Sequence, residues 1–331
     1  MPNHPAAINC IVVLGATATG KTRLAVQLAN ACNGEIISVD SRQVYRGMDL
    51  GTGKDLADYG AIPYHLIDVA EPHESYNLFR YLAEARAALL AISARQRLPI
   101  LAGGTPLYLN AVLDGYAMHG GEPDPLLRAE LEAYDSETLC RMLQAEAPEV
   151  FARTDTSQRR RVLRGLEIAR SSQRSATTPR PQLPLRPLLL APYYPRQVVH
   201  QRIAERLDAR LEAGMIAEVQ HLHDVMGVSW EQLDFFGLEY RYIARYLQGQ
   251  IDLTAMRETL LARIRRLCKS QDIWYRKMER EGKQIHWLAN GELAPAITLA
   301  EQFLAGATLA PPSWRMMDNL NGPQTNFERN T

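Results

Sequence analysis

Cysteine is scarce in this chain, and closely spaced cysteine is absent. Cys10, Cys32, Cys140 and Cys268 stand far apart in 331 residues, without the spacings that a zinc site or a redox centre requires. They read as reduced thiols, which implies a reducing compartment. Long apolar runs are missing too. No segment approaches the roughly 18 apolar residues of a membrane span, and the opening MPNHPAAINC has no basic stretch leading into an apolar one. A cytoplasmic protein with no membrane partner is expected. Net charge is also lacking: 37 Lys and Arg balance 37 Asp and Glu. The molecule as a whole therefore offers no field to an anionic partner, and local basic clusters must supply one. The rest is ordinary for a globular chain, 46% hydrophobic and 22% charged, and long enough for one large or two smaller domains.

Hydrophobic patterning predicts an α/β fold. The apolar run Ile11 to Leu14 leads into a Gly-bounded loop, after which Leu24, Ala25, Leu28 and Ala29 recur at helical spacing. Further strands are expected over Glu35 to Asp40, Ile62 to Val69 and Pro99 to Ala102. The last follows a helix whose apolar stripe includes Phe79, Leu82, Leu89 and Leu90. Strands alternating with helices argue for a parallel sheet covered on both faces. Residues 1–115 thus form the first part of a core domain. From 116 to 183 the pattern is helical, ending in a segment rich in Ser, Thr, Pro and Arg, which predicts a helical insertion domain. The core resumes over 184–309, with a strand at Pro187 to Ala191 and helical stripes Ile203, Leu207, Leu211 and Met256, Leu260, Ile264, Leu267. Residues 310–331, polar and aperiodic, read as a mobile tail.

Gly15-Ala16-Thr17-Ala18-Thr19-Gly20-Lys21-Thr22 fits the phosphate-loop pattern of Gly, four residues, Gly, Lys and Ser or Thr, and it lies between an expected strand and an expected helix. Glycines let successive amides turn inward, the helix N-terminus adds a positive end, Lys21 reaches phosphate oxygens, and Thr22 can ligate Mg2+. The loop predicts a P-loop NTPase-like sheet and a diphosphate or triphosphate ligand without naming it. A small-molecule kinase or NTPase would place Asp68 at the magnesium.

The sequence Asp40-Ser41-Arg42-Gln43-Val44-Tyr45, continuing through Arg46-Gly47-Met48-Asp49-Leu50-Gly51-Thr52-Gly53-Lys54, narrows the choice. Together with the phosphate loop it resembles the tRNA dimethylallyltransferase (tRNA isopentenyltransferase) family. His65 to Val69, Gly103-Gly104-Thr105-Pro106-Leu107-Tyr108 and Gln158-Arg159-Arg160-Arg161 follow in the family's order, and the resemblance runs from about residue 9 to about residue 290. It implies transfer of a dimethylallyl group from dimethylallyl diphosphate to the N6 amine of the adenosine at position 37, beside the anticodon, in tRNAs reading codons that begin with U. It also implies magnesium as cofactor, no ATP consumed, and a monomer. No zinc-finger spacing follows the catalytic part, which points to the bacterial type.

Alkylating an exocyclic amine needs a carboxylate to take its proton and stabilisation of the departing pyrophosphate. Asp40, at the C-terminal end of an expected strand, is where such a carboxylate belongs, and the resemblance makes it the general base. A turn or helix-capping Asp is the bland alternative. Resemblance also assigns Thr105 to orienting the aspartate and the amine, although an N-cap role fits it too. Arg206 would join the phosphate loop in binding diphosphate, unless it is a solvated surface arginine. Ser41, Arg42, Gln43 and Arg241 match tRNA-contacting positions, with local turn bonding the alternative for Ser41. The glutamine amide has the paired donor and acceptor that an adenine edge needs.

Two basic clusters would meet the anticodon stem-loop: Gln158 to Arg161 with Arg164 and Arg170, and Arg263, Arg265, Arg266, Lys269, Arg276 and Lys277 near the C-terminus. Solvated helix faces are the alternative reading. The target base would be drawn out of its stack to reach Asp40. The chain departs from the family pattern in three places. Gly53 replaces an Ala, Phe236-Gly237-Leu238-Glu239-Tyr240-Arg241 stands where Val-Gly-Tyr-Arg-Gln is usual, and Ser270 replaces an Arg. Two other activities remain open: an adenylate dimethylallyltransferase, which would leave the insertion and the basic C-terminal helix without a purpose, and a P-loop kinase.

Overall fold

A computed structural model describes residues 7–114, 124–174 and 183–318. Six parallel strands form one sheet: β1 (Ile8–Val13), β2 (Gly34–Ser38), β3 (Tyr64–His65), β4 (Leu98–Ala102), β5 (Leu185–Tyr193) and β6 (Ile285–Ala289), in the order β3-β2-β4-β1-β5-β6. Side chains alternate across the pleat, and both faces are covered. Ile11 and Val13 point to one side, against α1 (Lys21–Ala31). Cys10 and Val12 point to the other, against α2 (Leu78–Ala94) and α3 (Pro106–Asp114). Because every strand runs the same way, the ends of β2, β4, β1 and β5 lie along one edge of the sheet. That edge is where an open α/β sheet builds its site.

The helices α4 (Pro125–Glu132), α5 (Ser136–Glu146), α6 (Pro148–Arg153) and α7 (Arg159–Arg174) form a second compact unit. Its own core contains Leu127, Leu131, Leu139, Leu143, Val162, Leu163 and Leu166. Within the main unit, β5 leads to α8 (Arg196–Glu212), α9 (Met215–Asp224), α10 (Trp230–Phe236), α11 (Leu238–Leu247) and the 28-residue α12 (Leu253–Arg280). These add to the core on the α2 side, whereas α13 (Leu293–Leu304) joins α1 on the opposite face.

Several sequence expectations are corrected. The run from Ile62 to Val69 is a strand only at Tyr64 and His65, because Leu66 and Asp68 take φ of 62° and 55° and turn the backbone out of the extended region. The buried stripe of α2 is Tyr81, Ala85, Ala88, Leu89 and Ile92, while Leu90 is 45% exposed. On α12 the stripe continues through Cys268, and Leu267 is exposed. Strand β6 carries too weak a pattern to stand out, since only Ile285 and Leu288 are buried on it.

The expected mobile tail is not what residues 310–318 form. The buried carboxylate of Glu279 accepts hydrogen bonds from the backbone N–H groups of Met316 (3.1 Å) and Met317 (2.7 Å) and from Trp287 Nε1 (2.7 Å), and Met316 is buried against α12. Residues 319–331, and the Ser/Thr/Pro-rich stretch at 175–182, lie outside the described residues.

Candidate active site

The phosphate loop follows β1 directly. Gly15 (φ 142°) and Gly20 (φ 80°) take backbone angles that glycine favours, and Ala18 takes φ 62° between them. Such a winding turns amides toward a common centre at the start of α1, where the helix dipole favours an anion. Inside the loop, Lys21 Nζ and Thr19 Oγ1 both donate to the carbonyl of Ala16, at 2.7 and 2.8 Å. Thr22 lies in the first turn of α1.

Three side chains from distant helices brace the loop. Tyr275 donates its hydroxyl to the carbonyl of Gly15 (2.8 Å), and Gln271 accepts from the N–H of Thr17 (2.9 Å). Arg206 Nη2 donates to Thr17 Oγ1 at 2.5 Å. Arg206 thus meets the loop through Thr17 and is half-buried rather than fully solvated. Burial and then the Arg206 charge push Lys21 down to about 8, against the pull of Asp40. Burial, followed by the neighbouring Arg210, lowers Arg206 to about 10, with Glu239 and Asp55 opposing.

Asp40 sits two residues past β2. Its Oδ1 accepts from the N–H groups of Arg42 (2.8 Å) and Gln43 (3.3 Å), so this oxygen caps the turn after β2. Among the described residues no hydrogen bond reaches Oδ2. Burial raises the pKa of Asp40, while the two backbone N–H groups, Arg42 and Lys21 oppose the rise. Beside it, Thr105 Oγ1 accepts from the N–H of Ser41 at 3.2 Å. That approach depends on Gly103: a Cβ there would collide with the backbone of Val39, so glycine lets the ends of β2 and β4 close together. Gln271 links the two halves, since its amide also donates to the carbonyl of Gly104 at 2.7 Å.

Other expected residues have partners within the fold. Gln43 accepts from Ser38 Oγ (2.8 Å) and donates to the carbonyl of Gly53 (3.0 Å), so both ends of the amide expected to read an adenine edge are engaged within the fold. Arg42 donates from Nε to the carbonyl of Phe236 (2.9 Å) at the end of α10. Arg241 is held by Asp234, through its carbonyl (2.7 Å) and its carboxylate (3.1 Å). Asp68 is ion-paired to the buried Lys54, so it is not the free carboxylate that a kinase reading assigns to magnesium. In the helical unit, Gln158, Arg160 and Arg161 are exposed at the start of α7. Arg159 donates to the carbonyl of Glu132 (2.9 Å), and Arg161 pairs with Asp155 (3.0 Å). Arg164 and Arg170 likewise pair within the unit, with Glu167 and Glu146.

The family model described as IPP transferase matches residues 43–278, and one described as isopentenyl transferase matches residues 8–59. The chain belongs to the IPP transferase family. Among its relatives in that family, tRNA dimethylallyltransferase 1 of Geotalea uraniireducens is 46% identical over 280 residues, covering 85% of this chain and 92% of the relative. The protein of the same name from Hahella chejuensis is 47% identical over 278 residues, covering 84% and 91%. The crystal structure of the full-length tRNA isopentenylpyrophosphate transferase of Bacillus halodurans superposes with a TM-score of 0.66 at 32% identity, over 91% of this chain and 96% of that one. A eukaryotic dimethylallyltransferase acting on tRNA, 24% identical, shares the fold with a TM-score of 0.78 over 92% of this chain and 81% of its own.

Sequence reasoning passed over several residues that shape this IPP transferase site. Gln271 and Tyr275 occupy the buried stripe of α12, and a glutamine on an otherwise apolar stripe was the available signal. Glu218 of α9 accepts from the N–H groups of Asp49 (2.9 Å), Leu50 (2.6 Å) and Gly51 (3.0 Å) and from Tyr240 (2.9 Å), fixing the loop after Asp40. No local pattern marks it.

Proposed function

We propose that this protein transfers the dimethylallyl group of dimethylallyl diphosphate to the N6 amine of adenosine 37 in tRNA. One observation carries the reading: a Cβ built on Gly104 would stand 3.6 Å from Lys21 Nζ, and the next residue, Thr105, accepts from the N–H of Ser41 beside Asp40, so the loop lysine and the carboxylate share one sheet edge. The base and the leaving-group site are therefore neighbours. The loop amides, Lys21 and Arg206 bind the diphosphate. The N6 nitrogen attacks C1 of the dimethylallyl group, the C1–O bond breaks, and pyrophosphate leaves with the electron pair. Asp40 takes the amine proton through Oδ2 while Oδ1 keeps the turn in place, and Thr105 holds the backbone at Ser41 so that the carboxylate stays aimed.

Magnesium fits as the cofactor. Thr22 offers one hydroxyl at the helix start. Such a sparse protein donor set suits an ion that takes most of its ligands from water and phosphate oxygens. Its chemistry there is to neutralise charge on the diphosphate. The anticodon stem-loop is the partner for the exposed side chains of Gln158, Arg160 and Arg161, and a cytoplasmic monomer is the expected form.

Incubation with magnesium, labelled dimethylallyl diphosphate and unmodified tRNA reading codons that begin with U tests the reaction. Digestion should release labelled dimethylallyladenosine. Label found only in free AMP would instead make the protein an adenylate dimethylallyltransferase, and label in neither would remove the prenyl-transfer reading.

A further inference from the structure

Residues 313–318 form a strap that lies beyond residue 278, where the match to the IPP transferase model stops. Besides the two backbone bonds to Glu279, Arg276 Nε donates to the carbonyl of Met316 (3.3 Å) and Arg315 Nη2 donates to the carbonyl of Glu279 (3.3 Å). Four hydrogen bonds thus fasten the strap to α12, and they seat Trp314 against two aromatic rings of the sheet. Its ring centroid stands 4.8 Å from that of Tyr193, at the end of β5, and 5.7 Å from that of Trp287 in β6, which it meets edge to face.

From there two lines of contact reach one residue of the phosphate loop. Trp287 packs edge to face against Tyr275 (6.1 Å), whose hydroxyl holds the carbonyl of Gly15. Tyr193 follows Pro192, and a Cβ built on Gly15 would stand 3.5 Å from the carbonyl oxygen of Pro192, in ordinary contact. Met316 of the strap lines the same cavity as Ala16 and Thr19 of the loop.

We propose that Trp314 is a positioning residue for the diphosphate site, an inference that rests on the dimethylallyl-transfer reading for its substrate. The indole buttresses Trp287 and Tyr193, and these keep Tyr275 and Pro192 closed on Gly15. Glycine has no side chain to fix its own backbone, so the contacts around Gly15, at φ 142°, set the direction in which the loop amides point. Removing the indole leaves a gap at the outer end of both lines, and the amides lose register with the diphosphate. Neither line includes Asp40, Ser41 or the helical unit, so the effect belongs to diphosphate binding.

Two measurements on the full-length chain test this. In steady-state kinetics with dimethylallyl diphosphate and an unmodified anticodon stem-loop, Trp314→Ala should raise the KM for the diphosphate about fivefold and keep the KM for the stem-loop within about twofold of the parent. Trp314→Phe retains a ring against both neighbours and should recover most of the loss. If Trp314→Ala does not fold, Trp314→Leu, which keeps apolar bulk without the aromatic geometry, carries the same comparison. Hydrogen exchange read by mass spectrometry should show the amides of residues 15–20 exchanging faster in Trp314→Ala, while those of β1 and β4 keep the parent rate. The proposal is overturned if folded variants keep the diphosphate KM within about twofold, if both KM values rise together, or if the loop amides exchange at the parent rate. A lower Tm with none of these changes is what a merely structural strap would give. Exchange needs no turnover: a parent chain that transfers nothing would remove the functional reading, and a loop that opens in Trp314→Ala would still assign the tryptophan its role.

Discussion

Gln271 accepts a hydrogen bond at 2.9 Å from the N–H of Thr17, across 254 residues of sequence. The same amide donates to Gly104, so one α12 side chain spans the loop after β1 and the loop after β4. Gln271→Leu leaves a donor and an acceptor unpaired in a largely dry site, which costs about 1–3 kcal/mol. Thermal unfolding should show the loss, and the KM for dimethylallyl diphosphate should rise because the loop is no longer held in register. An unchanged KM in a destabilised protein would make the brace purely structural.

Asp40→Asn preserves an oxygen that can accept from the N–H groups of Arg42 and Gln43, so the turn should survive. The proton acceptor does not. Transfer should fall by about 10²–10⁴-fold, while affinity for the anticodon stem-loop, measured by fluorescence anisotropy, stays near the parent value. Parallel loss of binding would show that Asp40 serves the turn and nothing else.

Local sequence made the phosphate loop legible and put Asp40 and Thr105 at strand ends, which parallel strands bring together; the roles of both came from the resemblance. Arg206 was found only through resemblance, since it meets Thr17 across 189 residues and no spacing rule reaches that far. The buried glutamate Glu279 and the helix-to-loop cap Glu218 were illegible for the same reason: each is an acidic residue on a helix until its backbone partners are placed. The longer apolar run at Ile62 failed for a different cause. Asp68 is drawn to Lys54, and left-handed residues at 66 and 68 end the strand early.

On the proposed reading Lys21 holds the diphosphate as a cation, and burial with the nearby Arg206 brings its pKa down to about 8. Bound diphosphate restores a high pKa, so binding takes up a proton above pH 8. Affinity for dimethylallyl diphosphate, whose terminal phosphate ionises at about pH 6 and is fully charged by about pH 7.5, should therefore be about tenfold weaker at pH 9 than at pH 7.5. Calorimetry in two buffers of different ionisation enthalpy would reveal the proton uptake. Binding of dimethylallyl diphosphate without any such uptake at pH 9 would place Lys21 away from the ligand. Asp40, raised by burial, sets the opposite limb of the activity profile: transfer should decline as acid protonates it.

Asp272 lines a cavity beside the phosphate loop with Ala16, Thr19, Arg196, Cys268 and Arg276. Burial raises its carboxyl to about 6, despite the opposing charges of Arg276 and Arg196. A carboxyl with a folded pKa above its unfolded value binds its proton more tightly in the native state. Its contribution to stability is therefore complete below pH 4 and lost as pH rises through 6. At neutral pH the ionised group costs stability, and Asp272→Asn should recover on the order of 1 kcal/mol. The gain should be seen as a higher Tm at pH 7.5 and should vanish near pH 4, where both side chains are neutral. An equal gain at both pH values would trace the effect to packing in the cavity, and a loss at pH 7.5 would mean that the two arginines outweigh burial.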